Sequence, residues 1–466
     1  MSLLRKILFW IFALIYITVC PAVILYALGI IFDPKTQTVE KTGIIYISSL
    51  PPGADVFIDG KQLADKTPLI IENLSAGSHH VMVAREDYQP WQKTLPVNRQ
   101  KATAIEKLLL IPTQWPQAKL PFSYIGLTGF DQPPFLMLRS GPLLKDVVIY
   151  RAVRFDPEKF MDPRLILETG RLFPLAPEDF AMENANITGI TTIEGSPFVV
   201  LKIFDRRETK FLWFNALSGE TKFKDITSLI LGEAQNILWA ANNENDLYVL
   251  GDGRLSRVDI KNNAVHPDIV KGIKNFALFR SAIYALTTDG RLMQYDHDGE
   301  NPQPVLKNNP AAALPVLRGD AAMRVYADDL AVLLSGDGTL VLSRPPYLCA
   351  EGVTGFLFDE NRRHLLIWTL SRLGYLDLQN KDGANVIWLE TGGRGIRQAF
   401  WANGGDNIIF TTHKEVFITE TQTFNQAQAY LVTRIAADTS VHYSDKDGVL
   451  SFLDTDGRLS AIRVMP

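Results

Sequence analysis

The sequence has few of the features that indicate a disulfide framework, a metal site or a nucleic-acid partner. Its 466 residues include two cysteines, Cys20 and Cys349, which are too few for a disulfide framework or a zinc site of four thiolates. The 47 basic and 51 acidic side chains give a net charge of −4, so no cationic excess is available to follow a phosphate backbone. We therefore expect no nucleic-acid partner.

Motifs that carry common chemistry are also missing. The sequence has no Gly-x-x-x-x-Gly-Lys-Ser/Thr phosphate loop, no His-Glu-x-x-His, no Gly-x-Ser-x-Gly and no Gly-x-Gly-x-x-Gly. Its seven histidines are scattered, and no two have the spacing of metal ligands on one helix face. The sequence therefore assigns no catalytic, cofactor-binding or metal-binding residue and no cofactor, although distant residues can still form a triad once the chain folds.

The strongest single feature that is present is an apolar run near the N-terminus. Residues Ile7–Phe32 contain no charged side chain, and a helix of roughly 20 apolar residues is enough to cross a bilayer. A cleaved signal peptide would have a shorter apolar stretch and a small-residue cleavage site. A lipoprotein signal would have a small residue in place of Val19 before Cys20. We therefore predict an uncleaved transmembrane helix over residues 7–32, kinked at Pro21.

Flanking charges set the expected orientation of this helix. Arg5 and Lys6 precede the apolar run, whereas the cations that follow it are mixed with acidic residues. The positive-inside rule then places residues 1–6 in the cytoplasm and the bulk of the chain outside it. We predict a single-pass protein of the cell membrane that contacts the lipid bilayer through residues 7–32, followed by a polar linker over residues 33–42.

A short region of alternating polar and apolar residues follows the linker. Pro51-Pro52-Gly53-Ala54 has turn chemistry, and residues 55–58 alternate as in a half-buried strand. Asp59-Gly60 is typical of a tight hairpin, and Thr67-Pro68 breaks the chain before another apolar stretch. These patterns predict a small antiparallel β module.

In their order, these motifs resemble the PEGA domain family over residues 43–111. Further residues that carry the resemblance are Val56, Ile58, Leu74, Gly77, His79 or His80, Val81, Val83, Tyr88 and Trp91. The resemblance implies a small β-sandwich-like module without catalytic activity, common in bacterial and archaeal surface proteins. Asp87 and residues 64–66 depart from the family at positions where glycine is frequent, which affects turn geometry. We interpret His79-His80 as a pair at a strand edge, because a metal site would need a third ligand nearby.

The remaining residues, 122–466, show no sustained helical periodicity and contain a repeated motif. Asp-Gly-x-Leu begins at residues 252, 289, 337, 447 and 456, each time between short apolar runs. The first three copies lie 37 and 48 residues apart, and about 40–50 residues per four-stranded unit is typical of a propeller blade. The sequence therefore predicts an all-β chain: an N-terminal transmembrane helix, a PEGA β-sandwich and a β-propeller.

The repeat pattern predicts eight blades, with seven as the alternative. The candidate unit starts are Ile125, Ile190, Trp239, Phe276, Val325, Phe356, Phe400 and Val441. The last unit, 441–466, has room for three strands, so we expect a strand near Ser123–Leu127 to supply the fourth and to remove an exposed sheet edge. The sequence has no Trp-Asp dipeptide, which is the WD40 signature, and one segment, 214–220, is similar to the inter-blade turn of quinoprotein-type repeats. The resemblance is therefore to propellers as a class, with WD40-like and quinoprotein-like propellers as loose relatives.

Two further patterns in this region have a functional and a structural interpretation. Asp-x-Asp-Gly at 296–299, 445–448 and 454–457 resembles part of a calcium loop, but hairpin turns favour the same residues and calcium needs six or more oxygen ligands. Trp368, Trp388 and Trp401 could form a platform for a glycan or peptide. Because tryptophan is highly buried on average, we favour packing between blades.

The sequence thus indicates a membrane-anchored extracytoplasmic protein that binds or scaffolds other components of the cell envelope. An envelope protein or polysaccharide is the expected partner, and its identity is not encoded in any motif. The alternative is a propeller enzyme, a hydrolase or lyase acting on an envelope polymer. That alternative rests on fold analogy alone, because propellers host unrelated functions.

Overall fold

A computed structural model describes most of the chain, including one α-helix and 40 strands among the described residues. The described residues are 3–27, 30–33, 38–131, 134–151, 171–176, 180–192, 197–218, 222–240, 243–306, 321–344, 347–359, 363–379, 385–389, 391–421 and 428–465. The chain divides into two compact units. Of the described residues, those up to 115 form one unit, and those from 116 to 421 and from 428 to 465 form the other.

The N-terminal apolar run begins as a helix and ends as a strand. Helix α1 spans Leu3–Ala27 and continues through Pro21. The prediction of a helix to residue 32 is wrong, because Ile30–Asp33 forms strand β1 and pairs antiparallel with the start of β2 (Thr38–Leu50). Part of the predicted 33–42 linker is therefore strand, in keeping with the β-branched residues on both sides of this ladder. Among the residues that the structure describes, no helix is long and apolar enough to cross a membrane.

The rest of the first unit consists of two four-stranded sheets. The first sheet has β2 at its centre, with β5 antiparallel on one side and β8 parallel on the other. The second sheet has the order β4-β3-β6-β7. The remaining strands are β3 (Asp55–Ile58), β4 (Lys61–Lys66), β5 (Leu69–Ser75), β6 (Gly77–Ala84), β7 (Trp91–Val97) and β8 (Ala102–Leu109).

Both sheets contribute to one apolar core. Ile45 and Ile105 of the first sheet and Val56, Val81 and Leu95 of the second are almost completely buried in the same cluster. Burial alternates along the strands, as in β7, because successive side chains point to opposite faces. This arrangement agrees with the predicted β-sandwich.

Two of the sequence motifs meet at the edge of this sandwich. The backbone N–H of Gly53 donates to the carbonyl of Thr67 at 2.8 Å, and the N–H of Ala54 donates to the Thr67 hydroxyl at 2.9 Å. Thr67 is buried, so these bonds fix the Pro-Pro-Gly-Ala turn against the Thr-Pro break. Asp59 and Gly60 both have positive φ, as the predicted tight hairpin requires.

The second unit contains eight successive four-stranded antiparallel sheets, which we call blades 1 to 8. Blade 1 is β10 (Gly126–Asp131), β11 (Pro134–Arg139), β12 (Val147–Arg151) and β13 (Arg171–Pro174). Blade 2 is β14 (Asn186–Thr192), β15 (Phe198–Asp205), β16 (Glu208–Asn215) and β17 (Lys224–Asp225). Blade 3 is β18 (Asn236–Ala240), β19 (Asn243–Gly251), β20 (Arg254–Asp259) and β21 (Ala264–Lys271). Blade 4 is β22 (Ile273–Phe279), β23 (Ala282–Thr287), β24 (Leu292–Tyr295) and β25 (Gln303–Pro304).

The second half of the unit repeats the same pattern. Blade 5 is β26 (Ala321–Ala327), β27 (Leu330–Ser335), β28 (Leu340–Leu342) and β29 (Leu348–Ala350). Blade 6 is β30 (Val353–Asp359), β31 (His364–Thr369), β32 (Leu373–Asp377) and β33 (Ile387–Leu389). Blade 7 is β34 (Gln398–Ala402), β35 (Asn407–Thr411), β36 (Glu415–Glu420) and β37 (Ala429–Arg434). Blade 8 is β38 (His442–Ser444), β39 (Val449–Leu453), β40 (Arg458–Arg463) and β9 (Gln117–Ser123).

Blade 8 is completed by a strand from the other end of the unit. Strand β9 pairs antiparallel with β40, with Ala118 opposite Ala461. The predicted closing strand at Ser123–Leu127 is therefore a few residues too late. The chain leaves the edge of blade 8 after Ser123, because Gly126 already begins the first strand of blade 1. The N–H of Tyr124 donates to the carbonyl of Gly457 at 2.7 Å at this exit.

Successive blades pack face to face, and the first blade packs against the last. Leu136 and Leu138 of blade 1 share a buried cluster with Ala118, Leu453 and Leu459 of blade 8. Further clusters join blade 1 to 2, 2 to 3, 3 to 4, 4 to 5 and 5 to 6. Blade 7 contacts blade 6 through the Trp401 indole N–H, which donates to the carbonyl of Leu357 at 3.4 Å. The N–H of Val441, at the start of blade 8, donates to Oε1 of Gln398 of blade 7 at 3.0 Å. This series of contacts is the ring of a β-propeller, and its eight sheets agree with the predicted number.

The repeat motifs mark equivalent places in most blades. Every predicted unit start lies in, or one residue before, the first strand of a blade. The Asp-Gly turns at 252, 289, 337 and 456 connect the second and third strands of blades 3, 4, 5 and 8. The copy at 447 differs, because it connects the first and second strands of blade 8. The segment at 214–220, which resembles an inter-blade turn, begins in β16 and continues toward β17 within blade 2, although residues 219–220 lie outside the described residues.

We predict that a charge on the buried face of β9 opens the ring. Ala118 is 3% exposed, so Ala118→Asp places a carboxylate between blades 1 and 8. The expected loss is about 3 kcal/mol in the free energy of unfolding of the propeller, measured by urea denaturation of the full chain.

Phe122→Asp on the same strand is the matched control, because Phe122 is 59% exposed. That variant should change the free energy of unfolding by less than about 0.5 kcal/mol. Equal stability of the two variants would contradict the pairing of β9 with blade 8.

Candidate functional site

A cleft of about 490 Å³ lies between blades 3 and 4. Its lining residues belong to strands of these two blades and to the turns after β22 and β24. Its lining residues are Ala240, Asn243, Asp246, Tyr248, Arg257, Leu278, Arg280, Ser281, Ala282, Ile283 and His297. A volume of this size is typical of a site for a small ligand or for a side chain of a larger partner.

Cross-blade contacts hold one wall of this cleft. The Arg257 guanidinium of blade 3 forms an ion pair with Asp298 of blade 4, with Nη1 and Oδ1 2.7 Å apart. The Tyr248 hydroxyl donates to the carbonyl of His297 at 2.8 Å. Burial raises the pKa of Tyr248 to about 12, so its hydroxyl stays protonated and remains a donor at neutral pH. These contacts fix the positions of two polar groups at the cleft.

Arg257 is a cation in a largely buried position. Its side chain is 17% exposed, and its Nε is fully buried without a hydrogen-bond partner among the described residues. A buried N–H without a partner costs about 1–3 kcal/mol, and most such groups in proteins are satisfied. A buried arginine with an unpaired Nε is therefore unusual for a side chain whose only role is packing.

Arg280 also lines the cleft, in the turn between β22 and β23, but the contacts of its guanidinium lie toward blade 5. It lies over the ring of Phe279 at 5.1 Å and is 3.8 Å from the Asp328 carboxylate. Both side chains of this ion pair are more than two-thirds exposed, so solvent screens it. Asp246 is the single carboxylate among the lining residues, and Asn243 donates to it at 3.0 Å.

The apolar residues of the lining belong mostly to the packing between blades 3 and 4. Ile283 and Tyr248 are almost completely buried in one cluster, and Leu278 and Ala240 pack against it. Ala282 instead packs with the cluster between blades 4 and 5.

In two of the three Asp-x-Asp-Gly segments, 296–299 and 454–457, the first aspartate accepts backbone hydrogen bonds in a hairpin turn. The Asp296 carboxylate accepts the N–H groups of Asp298 and Glu300 at 3.2 and 2.7 Å. The Asp454 carboxylate accepts those of Asp456 and Arg458 at 2.9 and 3.0 Å. This geometry is that of an Asx turn, which favours the turn interpretation over the calcium interpretation.

Asp454 has an additional role in the ring. Its side chain is 5% exposed and forms an ion pair of 2.9 Å with Lys119 of the closing strand β9. Burial of the carboxylate raises its pKa, but the hydrogen bonds from Lys119 and the two backbone N–H groups outweigh burial and lower the pKa below the ordinary value. The ionised form of Asp454 thus links the last turn of the chain to the closing strand.

The two neighbouring histidines of the first unit have different environments. Nδ1 of His79 lies 2.7 Å from Oδ2 of Asp59, and Nε2 lies 2.8 Å from the carbonyl oxygen of Ser75. Burial lowers the pKa of His79, but these two hydrogen bonds outweigh it and the pKa is raised overall. Because both partners are acceptors, the arrangement favours the doubly protonated ring. His80 is exposed on the other face of β6, as the alternation of a strand requires.

Two of the three tryptophans predicted as a possible platform, Trp368 and Trp401, are packing residues. Trp368 and Trp401 are buried, and their indole N–H groups donate to the carbonyls of Arg397 and Leu357 at 3.2 and 3.4 Å. Arg372 lies over the ring of Trp388 at 4.1 Å. Within the described part of the chain, no group of three or more His, Cys, Asp or Glu side chains could hold a metal ion.

Sequence reasoning missed the cleft between blades 3 and 4. Its polar residues come from two strands and two turns, and they share no motif or spacing. The repeat was the one feature of the sequence that could have indicated this place. The turns at Asp252-Gly253 and Asp289-Gly290 mark two successive blades, and the cleft lies between these blades. The side chains that line the cleft follow only from the folded structure.

One comparison with known proteins identifies a family for the first unit. A family model described as the PEGA domain matches residues 42–110, within one residue of the predicted 43–111 at each end. No protein with a curated description matches the chain. The PEGA match covers a minority of the chain and therefore describes the first unit alone.

Three solved structures are similar to this chain at low sequence identity. They are the computationally designed Ika8 protein (12% identity, 74% of this chain, 97% of that chain, TM-score 0.44), the Dos1 propeller (11%, 76%, 95%, 0.45) and the Cps50 (Swd1) β-propeller domain of Myceliophteria thermophila (11%, 60%, 99%, 0.35). These scores are low, and the propeller assignment rests on the strand pairing described above.

We predict that Asp454 stabilises the ring through its charge as well as through its turn. Asp454→Asn keeps an oxygen acceptor for the backbone and should lower the free energy of unfolding by about 1 kcal/mol, whereas Asp454→Ala should lower it by about 2–3 kcal/mol. Because the pKa is lowered in the folded state, the charge contributes above pH 3.8 and is lost as the pH falls through the folded value. Urea denaturation at pH 7 and pH 3 measures the difference. The exposed Asp456→Asn is the control, and an equal effect of all three variants would contradict the prediction.

We also predict that the His79–Asp59 pair makes the stability of the first unit depend on pH. Since the pKa of His79 is raised, its contribution is complete below the ordinary value of 6.5 and is lost as the pH rises through the folded value. His79→Gln should therefore reduce hydrogen-exchange protection of residues 77–84 more at pH 6 than at pH 8, after correction for intrinsic exchange. His80→Gln, one residue away, should reduce it at neither pH. A pH-independent effect of His79→Gln would show that the charged ring contributes nothing.

Proposed function

We propose that the protein is a membrane-anchored binding or scaffolding protein of the cell envelope, with its PEGA sandwich and propeller outside the cytoplasm. The observation that carries the anchor is the surface of α1. Its apolar side chains are exposed over successive turns, including Phe9, Trp10, Leu14 and Tyr16, each at 65% or more. A helix that is apolar on all sides needs an apolar environment.

The sequence supplies the length that such an anchor needs. The uncharged run extends over residues 7–32, and a helix of roughly 20 apolar residues is enough to cross the hydrocarbon core of a bilayer. Arg5 and Lys6 before the run support a cytoplasmic N-terminus. PEGA and propeller units without a recognisable reaction motif favour a role in binding over one in catalysis, with an envelope protein or polysaccharide as the partner.

We expect the chain to insert into microsomes with its two units in the lumen. The sequence contains two glycosylation acceptors, Asn73-Leu74-Ser75 and Asn186-Ile187-Thr188, which report lumenal exposure of each unit. In vitro translation should yield a product glycosylated at both sites that resists alkaline carbonate extraction. Asn73→Gln and Asn186→Gln should each remove one glycan.

A charged variant tests the helix itself. Combining Leu14→Arg with Ile15→Arg should abolish insertion, because each arginine at the centre of a membrane helix costs about 2.5–3.5 kcal/mol. Leu14→Val combined with Ile15→Val is the matched control and should insert normally. An unglycosylated, extractable wild-type chain, or a glycosylated chain shortened by removal of residues 7–32, would contradict the anchor.

A further inference from the structure

The hairpin of blade 2 that joins β15 to β16 carries four cationic side chains without an ion pair. They are Lys202, Arg206, Arg207 and Lys210, and none of them pairs with a carboxylate among the described residues. Lys202 lies over the ring of Phe211 at 5.9 Å, and the two arginines are exposed at the turn. The hairpin therefore presents positive charges that the protein itself does not use.

The equivalent turns of blades 3 and 4 carry arginines that are paired. Nη1 of Arg254 lies 3.1 Å from Oδ2 of Asp268, and Nη2 of Arg291 lies 2.6 Å from Oδ2 of Asp289. Both arginines are more than half exposed, so exposure alone does not set them apart from those of blade 2. The difference lies in the free hydrogen-bond donors, which blade 2 keeps available for a ligand.

The turn of blade 2 also has an uncommon sequence for its backbone. Strands β15 and β16 pair up to both sides of Arg206 and Arg207, which form a two-residue turn with φ values of 45° and 83°. The equivalent turn of blade 3 has Asp252-Gly253, the residue types that tolerate positive φ. Arginine has no such tolerance, so both positions are strained, and exposed side chains offset none of that strain by packing. Strained positions of this kind are frequent at binding sites.

An exposed aromatic ring lies on the same hairpin. Phe204 is 45% exposed, and it points to the same face of β15 as Lys202, two residues earlier. The outer strand β17 pairs with Leu212 and Trp213, further from the turn, so the tip of the hairpin extends past the paired part of that strand. The cations and the ring are therefore open to an extended ligand.

We propose that this hairpin binds an acidic polysaccharide, a chain of sugars that bear carboxylate groups. The planar guanidinium donates in parallel to the two oxygens of a carboxylate, and the face of Phe204 packs against the C–H groups of a sugar ring. Asp205 and Glu208 are interleaved with the cations and oppose contact with a uniformly anionic surface such as a membrane, whereas a polymer with spaced charges can contact the cations separately. The proposal deepens the binding role proposed above and rests on it, but it does not depend on the membrane anchor.

Fluorescence anisotropy tests this assignment on the purified full chain, in a nonionic polyoxyethylene detergent. The probe is an end-labelled oligogalacturonate, and a maltooligosaccharide of equal length with the same label is the neutral comparison. The neutral probe should bind about tenfold more weakly, because it lacks the carboxylates that accept charge-assisted hydrogen bonds. Raising the NaCl concentration about tenfold should weaken binding of the acidic probe about fivefold, because salt screens exposed charges.

Matched double variants locate the binding. Arg206→Gln combined with Arg207→Gln removes the unpaired charges of the turn and should raise the Kd about tenfold. Arg254→Gln combined with Arg291→Gln removes the same charge from the paired arginines of the next two blades and should leave the Kd unchanged within about twofold. Phe204→Leu keeps an apolar side chain but removes the ring, and should raise the Kd about threefold.

Three results would overturn the proposal: equal affinity for the neutral probe, absence of saturable binding, or an equal effect of the two double variants. Adding phosphatidylglycerol to the micelles tests the membrane as the partner. If this lipid displaces the acidic probe from the wild-type chain, the hairpin binds an anionic lipid surface and the proposal is wrong. None of these results would alter the outcome of the glycosylation experiment, so a failure of the ligand assignment and a failure of the anchor can be told apart.

Discussion

The propeller depends on the burial of both faces of every blade. A four-stranded sheet with apolar side chains on both faces is not stable alone, and each blade here obtains its cover from the blades before and after it. The same requirement applies at the ends of the series. Strand β9 meets it by pairing with β40, which completes blade 8 and lets blade 1 pack against a full sheet. The ion pair of Lys119 with Asp454 is a local reinforcement of this one long-range connection.

Ring closure also explains where charged side chains are found in the propeller. Inside each interface the side chains are apolar, so charged groups are found where turns of neighbouring blades approach each other at the surface. Between blades 3 and 4, Arg257 reaches across to Asp298, and Tyr248 reaches across to the backbone of His297. These bonds rigidify the two blades against each other and leave a cleft above them. The packed blades therefore fix the position of the cleft, and the residues in the turns contribute to its polarity.

Much of the fold could be predicted from the sequence, and the reason is repetition. The Asp-Gly turns at 252, 289, 337 and 456 recur because tight turns need residues that tolerate positive φ, and their recurrence reveals the blades. The PEGA motifs were readable for the same reason, and Asp87, at a position where the family often has glycine, has a φ of 65°. The end of α1, the position of the closing strand and the cleft were not predictable. Each depends on pairing or packing that no motif marks. Ile30–Asp33 forms a strand because it pairs with residues 38–41 of β2, which follow closely in the chain. Arg257 is held at the cleft by Asp298 of the next blade.

The central claim, that β9 closes the ring in a defined register, can be measured directly by a disulfide. Ala118 and Ala461 are opposite each other on antiparallel strands, at a separation that a disulfide can bridge. In a chain whose two native cysteines are replaced by alanine, Ala118→Cys with Ala461→Cys should oxidise to an intramolecular disulfide, detected by mass spectrometry of linked peptides. Ala118→Cys with Ser460→Cys, which points to the other face, should remain reduced. A linked peptide in the second pair, or none in the first, would show that the ring is not closed as described.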